Sequence, residues 1–264
     1  MTITAPEAAE LLYEVRGDIG YITFNRPAAR NALTFAMYDR LAEICIQADE
    51  QLALRALVLI GAGGKAFASG TDINQFRAFR TPQDALDYER RIDKCFDAVE
   101  ACRIPTIAAI SGACTGGGGA IAAVCDLRIA TPDLRFGFPI ARTLGNCLSI
   151  DNYARLVGLV GTARVKEMIF TARLIEAAEA KSIGLVSEIL PDHAALQDRA
   201  ETLARHVATM APLTLRATKE SLNRLARQSR TADDALLLSC YDSRDFQEGM
   251  DAFLRKRAPR WRGG

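Results

Sequence analysis

The sequence predicts an α/β fold with a helical C-terminal part. Short apolar, β-branched runs of strand length alternate with helix-period segments, and from residue 150 onward helical patterns dominate, broken by IGLVSEIL at 183–190. The 264 residues, 49% hydrophobic and 25% charged, have the balance of a globular protein large enough for a substantial core.

The elements follow in order. LLYEVRG (11–17) and IGYITFN (19–25) read as two strands turning at Gly17-Asp18, with Tyr13 and Val15 on one face of the first and Ile22 and Phe24 on one face of the second. Thr34 is positioned to cap a helix that carries Phe35, Tyr38, Leu41 and Cys45 on one face. RALVLIGAG (55–63) suits a buried strand, 82–102 a second helix, and IPTIAAIS (104–111) another buried strand. DLRIA and LRFGFP supply short strand segments, and 194–253 reads as about three amphipathic helices. No internal repeat is visible, and a composition shift near residue 195 marks the one candidate boundary.

Charge and cysteine content exclude several function classes. Lys and Arg total 33 against 32 Asp and Glu, so no broad nucleic-acid or acidic-membrane surface is expected. RKRAPRWR (255–262) is a local basic cluster, either a solvated tail or a site for an anionic ligand. Seven scattered cysteines without a CxxC pair, and only two histidines, argue against a zinc site or disulfide framework and for a reducing cytoplasm. MTITAPEAAE lacks the apolar region of a secretory signal.

The most unusual stretch is SGACTGGGGAIAAVCD (111–126). Pro105 and the glycines argue against a membrane helix, since each interior glycine costs about 1 kcal/mol relative to alanine. A P-loop would need a Lys and a hydroxyl after the glycines, and a dinucleotide fingerprint would need a glycine where Ile121 stands. Strand, glycine turn and short helix remain. Such a turn lets the backbone approach a ligand and aims free helix N–H groups at a developing oxyanion; alternatively, the small residues serve only close helix–sheet packing.

With KAFASGTDINQF (65–76), which places a second small-residue turn after a strand, these segments resemble the crotonase (enoyl-CoA hydratase/isomerase) superfamily. The matching stretches occur in the family's order: NRPAARNAL, KAFASGTDI, ISGACTGGGGAIAAVCDLRIA, FGFP, AKSIGLVSEIL, ATKESLN and EGMDAFLRKR. The resemblance implies a crotonase-like ββα spiral core over 1–195 and a helical C-terminal region over 196–264 that builds trimers, often paired into hexamers. It implies an acyl-CoA thioester as ligand and no separate cofactor, coenzyme A being part of the substrate. By motif matching, the two backbone N–H groups that hold the thioester oxygen fall on Thr71 and Gly117. Ala66, Ala68, Asp72 and Ile73 fall along the adenine and pantetheine path, and Arg30, Phe253 and Lys256 near the phosphates, where Arg30 and Lys256 are otherwise solvated surface cations.

The chain departs from the family's hydratase pattern at two positions. Ala120 and Ile140 stand where hydratases carry the glutamates that position and activate water, and neither side chain transfers a proton. The following loop, ARTLGNCLSIDNYARLVG, looks shortened. Aryl-CoA dehalogenases of the superfamily place a nucleophilic aspartate in a similar loop, but here Asn146 or Cys147 falls opposite it, while Asp151 reads as a helix N-cap. Cys147 reads as a structural thiol and His193 and His206 as non-catalytic. Two functions fit: an enolate-stabilising acyl-CoA enzyme that is not an ordinary two-glutamate hydratase, such as a decarboxylase or C–C lyase, or an acyl-CoA-binding protein without turnover.

Overall fold

The computed structural model describes residues 9–51, 53–227, 238 and 240–262. Most of MTITAPEAAE, and 228–237 of the expected C-terminal helices, lie outside these residues. Strands β1 (Leu11–Arg16) and β2 (Ile19–Phe24) pair antiparallel, with Tyr13 opposite Ile22 and Gly17 in the turn. Ile22 and Phe24 enter the main core, as their alternation predicts. Ile19 and Tyr21 on the opposite face are buried as well, in a second cluster.

Helix α1 (Phe35–Glu50) starts at Thr34, whose hydroxyl accepts from the Met37 amide at 3.4 Å, and it buries Tyr38, Leu41 and Cys45. Three ββα units follow. They comprise β3 (Ala56–Gly61), β4 (Ala66–Ala68) and α2 (Pro82–Ala101); β5 (Thr106–Ile110), β6 (Ala113–Thr115) and α3 (Gly117–Val124); and β7 (Leu127–Ala130), β8 (Arg135–Gly137) and α4 (Ile140–Thr143). The first strand of each unit joins a six-stranded sheet ordered β1-β2-β3-β5-β7-β10, with β10 at Glu188–Ile189. The second strands form a smaller sheet, β4-β6-β8-β9, with β9 at Ile175–Glu176. The unit strands run parallel within each sheet: Leu57 lies against Thr106, Ile107 against Leu127 and Cys114 against Phe136. This is the ββα spiral that the resemblance implies. The repeat hides in the sequence because the closing helices differ so much, at 20, 8 and 4 residues.

The buried apolar run of β3 is explained by cover on both faces. Leu57 and Leu59 belong to the main core, whereas Ala56, Val58 and Ile60 meet Leu196, Ala200 and Ala204 of α8 (His193–Ala208). A fully buried Leu or Ile contributes roughly 1.5–3 kcal/mol, so both faces of this sheet weigh in the stability. The composition shift near residue 195 falls inside α8.

The remaining helices are α5 (Ile150–Val160), α6 (Thr162–Thr171), α7 (Ala177–Ser182), α9 (Pro212–Arg227) and α10 (Arg244–Leu254). Helix α9 packs on α2 and α5, and α10 packs on α4 and on the 3₁₀ turn Ile73–Ala78. One expected cap is corrected. Ser149, extended at φ −63° and ψ 155°, caps α5 and accepts from the Asn152 amide at 3.4 Å, which puts Asp151 inside the first turn. A second difference concerns the glycine run: the chain passes from β5 through the three-residue β6 before turning into α3, instead of turning directly.

Candidate functional site

The segment after β2 is pinned by one buried amide. Asn31, at φ 55°, accepts from the Arg26 amide (2.9 Å) and donates to the carbonyls of Ala62 (3.0 Å) and Ala66 (2.8 Å). The chain beyond it can then bridge to the turn after β4. Leu33 donates to the Gly70 carbonyl and accepts from the Asp72 amide, both at 2.8 Å. Because backbone groups alternate along an extended segment, the amide of Thr71 points away from Leu33. Its hydroxyl lies between two phenols, 2.8 Å from Tyr38 and 2.9 Å from Tyr88.

Three of the four glycines serve different purposes. Gly116 adopts φ 52° and ψ −124°, a conformation that a side chain would oppose, and thereby turns β6 into α3. A Cβ on Gly118 would sit 2.2 Å from the Ala68 carbonyl, so α3 presses directly on β4. Gly117 opens the helix, and its amide has no preceding turn to bond to. The two turns touch each other. Thr115 Oγ1 donates to the Ser69 carbonyl at 3.0 Å, and a Cβ on Gly70 would lie 3.9 Å from the Gly117 nitrogen.

Over these turns opens a cavity of about 520 Å³. Of the residues singled out from the sequence, Thr71, Asp72, Ile73, Gly117 and Phe253 line it, as do Ala120 and Ile140. Its wall is largely apolar and aromatic, including Phe76, Tyr88, Ile92, Phe96, Phe138 and Leu148. Ala66 and Ala68 lie behind the turn, buried in β4, and the Ala66 carbonyl is occupied by Asn31. Arg30 and Lys256 are exposed and stand outside the lining. Arg26 is the one cation among the described lining residues, and it is tied to Glu10 (2.9 Å) and Asp72 (3.0 Å). Burial opposes the Asp72 charge, but the Asn74 amide and the Arg26 guanidinium outweigh it and hold the carboxyl below its ordinary range.

A sequence model described as Enoyl-CoA hydratase/isomerase matches residues 14–264 of the chain. The chain belongs to this family. It is 32% identical over 257 residues to a short-chain-enoyl-CoA hydratase of Clostridium acetobutylicum, covering 95% of this chain and 97% of that protein. Among solved structures it is similar to an enoyl-CoA hydratase/carnithine racemase from Magnetospirillum magneticum, with TM-score 0.79 and 32% identity over 98% of this chain and 97% of that one. It is also similar to a methylmalonyl-CoA decarboxylase in complex with 2-nitronate-propionyl-CoA, with TM-score 0.88 and 27% identity over 97% of this chain and 99% of that one.

One group at the cavity of this enoyl-CoA hydratase/isomerase family member is not indicated by the sequence motifs. Glu89 of α2 lines the cavity, is 4% exposed and contacts the Tyr241 hydroxyl through Oε1, while its Oε2 has no partner among the described residues. Burial pushes its carboxyl up to about 8, and nearby Asp93 adds to the rise against the Tyr241 hydrogen bond. Asp93 is itself pushed up to about 6 by burial, opposed by Arg155 and by Ser149, whose hydroxyl donates to it at 3.2 Å. The helical pattern carried a signal: Glu89 lies three residues from both Leu86 and Ile92, on the buried stripe of α2.

Of the other polar candidates, Asn146 lines the cavity, whereas Cys147 and His193 stand outside the lining. Burial and Cys240 raise the Cys147 thiol well above its ordinary value, which disfavours the reactive thiolate. His193 Nδ1 lies 2.8 Å from Ser111 Oγ, outside the cavity lining. Among the described residues no cluster of metal-ligating side chains occurs, and no helix is long and apolar enough to cross a membrane.

Proposed function

We propose that this family member binds an acyl-CoA thioester in the cavity and stabilises its enolate, with the amides of Thr71 and Gly117 holding the thioester oxygen. The observation that carries this reading is the contact between the two turns at the cavity, where Gly70 meets Thr115 and Gly117. Two fixed N–H donors polarise the carbonyl and stabilise negative charge as it develops on oxygen. The partial positive end of α3 acts in the same sense. Loss of one such donor typically costs about 2.7–4 kcal/mol in the transition state.

The coenzyme A portion would follow Asp72 and Ile73 to Phe253, with backbone groups of Ala66 and Ala68 beside the adenine and with Arg30 and Lys256 reaching the phosphates. Phe253 and Lys256 would do so from a neighbouring subunit of a trimer or hexamer in the cytoplasm. With Ala120 and Ile140 at the positions expected to hold glutamates, ordinary hydration is not the reaction. Decarboxylation or another C–C cleavage suits the site better, because the bond that breaks delivers its electron pair directly to the thioester. The apolar wall and the likeness to a methylmalonyl-CoA decarboxylase support this choice. The second reading, an acyl-CoA binder without turnover, is favoured by the same two side chains.

Mass spectrometry of a mixed acyl-CoA panel, including methylmalonyl-CoA, separates these readings. A product lighter by carbon dioxide, or cleaved at a C–C bond, is the expected result. Binding without any product supports the binder, and no binding of any thioester overturns both.

A further inference from the structure

We infer that Glu89 is the catalytic residue that exchanges a proton with the α-carbon of the bound acyl group. The inference rests on the enolate reading above. Helix α2 carries two deeply buried glutamates, and their treatment differs. Glu100, 6% exposed, is gripped by Arg155, with Nε 3.1 Å from Oε1 and Nη2 3.2 Å from Oε2. Glu89 is buried as deeply and pairs with no cation among the described residues. A buried carboxyl without a counter-charge is costly unless it stays protonated, and a protonated acid beside a ligand cavity is a proton donor.

The hydrogen bonds locate that proton. Asn146 Nδ2 donates to the Tyr241 oxygen at 3.1 Å, so the phenol directs its own proton onto Glu89 Oε1. Oε1 therefore accepts, and the acid proton of Glu89 belongs on Oε2, the oxygen left without a partner. Asn146 lines the same cavity, and its Oδ1 is likewise buried with no partner among the described residues. Two buried polar atoms without partners among the described residues thus occur on neighbouring wall residues of one cavity.

The step balances without a further reagent. The enolate's electron pair forms the α-carbon–hydrogen bond with the Oε2 proton, the thioester C=O re-forms, and the carboxylate left behind recovers a proton from solvent. The reverse step removes an α-proton. Titratable groups around Glu89 are Asp93 one turn along α2, the phenols of Tyr38, Tyr88, Tyr153 and Tyr241, and the Cys147 thiol. Asp93 is engaged by Ser149 and Asn152.

The test is solvent-deuterium exchange at the α-carbon of butyryl-CoA, read by mass spectrometry, with calorimetry of butyryl-CoA binding alongside. Glu89→Gln keeps the shape and the acceptor for Tyr241, and it is expected to bind butyryl-CoA while slowing exchange by about 10²–10⁴-fold. Wild-type exchange requires the carboxylate, so its rate rises with pH through the Glu89 midpoint. Tyr241→Phe removes a contact that lowers this midpoint and is expected to move the profile to higher pH, a shift that a purely structural role would not produce. Exchange by Glu89→Gln at the wild-type rate would overturn the assignment and leave the enolate reading standing. Bound butyryl-CoA with no exchange in the wild type would overturn both.

Discussion

The Tyr38 hydroxyl lies 2.8 Å from Thr71 Oγ1, and that single oxygen also serves Tyr88 at 2.9 Å. Burial pushes both phenols well above their ordinary range, so both stay neutral and need a partner. Thr71→Val keeps the branched shape and the backbone amide but orphans two buried hydroxyls, at about 1–3 kcal/mol each. Tyr38→Phe leaves the Thr71–Tyr88 contact intact and is expected to cost only about 0.5–1.5 kcal/mol. Urea unfolding should therefore rank Thr71→Val as the less stable variant; equal losses would show that the hydroxyl does not act as a shared anchor.

The same phenol limits what can stand at the first turn of α3. A Cβ on Gly117 would fall 1.9 Å from Tyr38 Oη and 3.1 Å from its Cζ. Tyr38 is fully buried and has nowhere to retreat, so Gly117→Ala should shift the turn, lowering both the melting temperature and acyl-CoA affinity. Removing the clashing atom in Gly117→Ala/Tyr38→Phe leaves Cζ as the nearest neighbour, a tight but tolerable approach. The double variant is expected to recover about 1 kcal/mol or more relative to additivity, measured as a double-mutant cycle in urea. Strict additivity would mean that the turn relaxes away from Tyr38.

Much of this arrangement is legible in sequence because it is local. The Gly17 hairpin, the Thr34 cap and the two-face burial of β3 follow from residues close together in the chain. Strand β6 was not legible, since three residues between glycines carry no period to read. The cap of α5 was misread because Ser149 and Asp151 are both good capping residues, and only the backbone angles at Ser149 decide between them. Glu89 was missed for a different reason. A lone glutamate on an apolar helical stripe is visible, but its partner Tyr241 arrives from 152 residues away in sequence, and Asn146, which bonds Tyr241, lies 95 residues from that tyrosine. Motif matching indicated the two turns, yet it could not indicate that Ala66 and Ala68 have buried side chains or that Arg30 and Lys256 stand outside the cavity lining.

The buried acids of α2 should leave a mark on stability as a function of pH. Glu89 is raised in the folded protein from an ordinary 4.5 to about 8, so the folded state keeps a proton that the unfolded chain has already released. Its stabilising contribution is complete below about pH 4.5 and is lost as pH rises toward about 8. Asp93, raised to about 6, acts in the same direction. Glu89→Gln cannot ionise, so it should gain on the wild type between roughly pH 5 and 8 by at least about 1.4 kcal/mol, the worth of one pKa unit. Urea midpoints at the two pH values check this, and a constant difference would mean that Glu89 titrates normally.

Hydration of crotonyl-CoA tests the proposed departure from a two-glutamate hydratase. Adding water across the double bond requires one group to take a proton from water and a positioned proton donor for the α-carbon. Ala120 and Ile140 are 5% and 7% exposed, line the cavity and carry no exchangeable proton. Glu89, on the opposing helix, could supply the α-proton, but it would leave the attacking water without a base. General acid–base assistance is typically worth about 10²–10⁴-fold, so crotonyl-CoA is expected to bind with hydration reduced by that order relative to a two-glutamate hydratase. Loss of the conjugated enoyl-thioester absorbance measures the rate directly. Turnover at the rate of an ordinary hydratase would mean that another pair of groups in the cavity activates water, and the reading of Ala120 and Ile140 would fall.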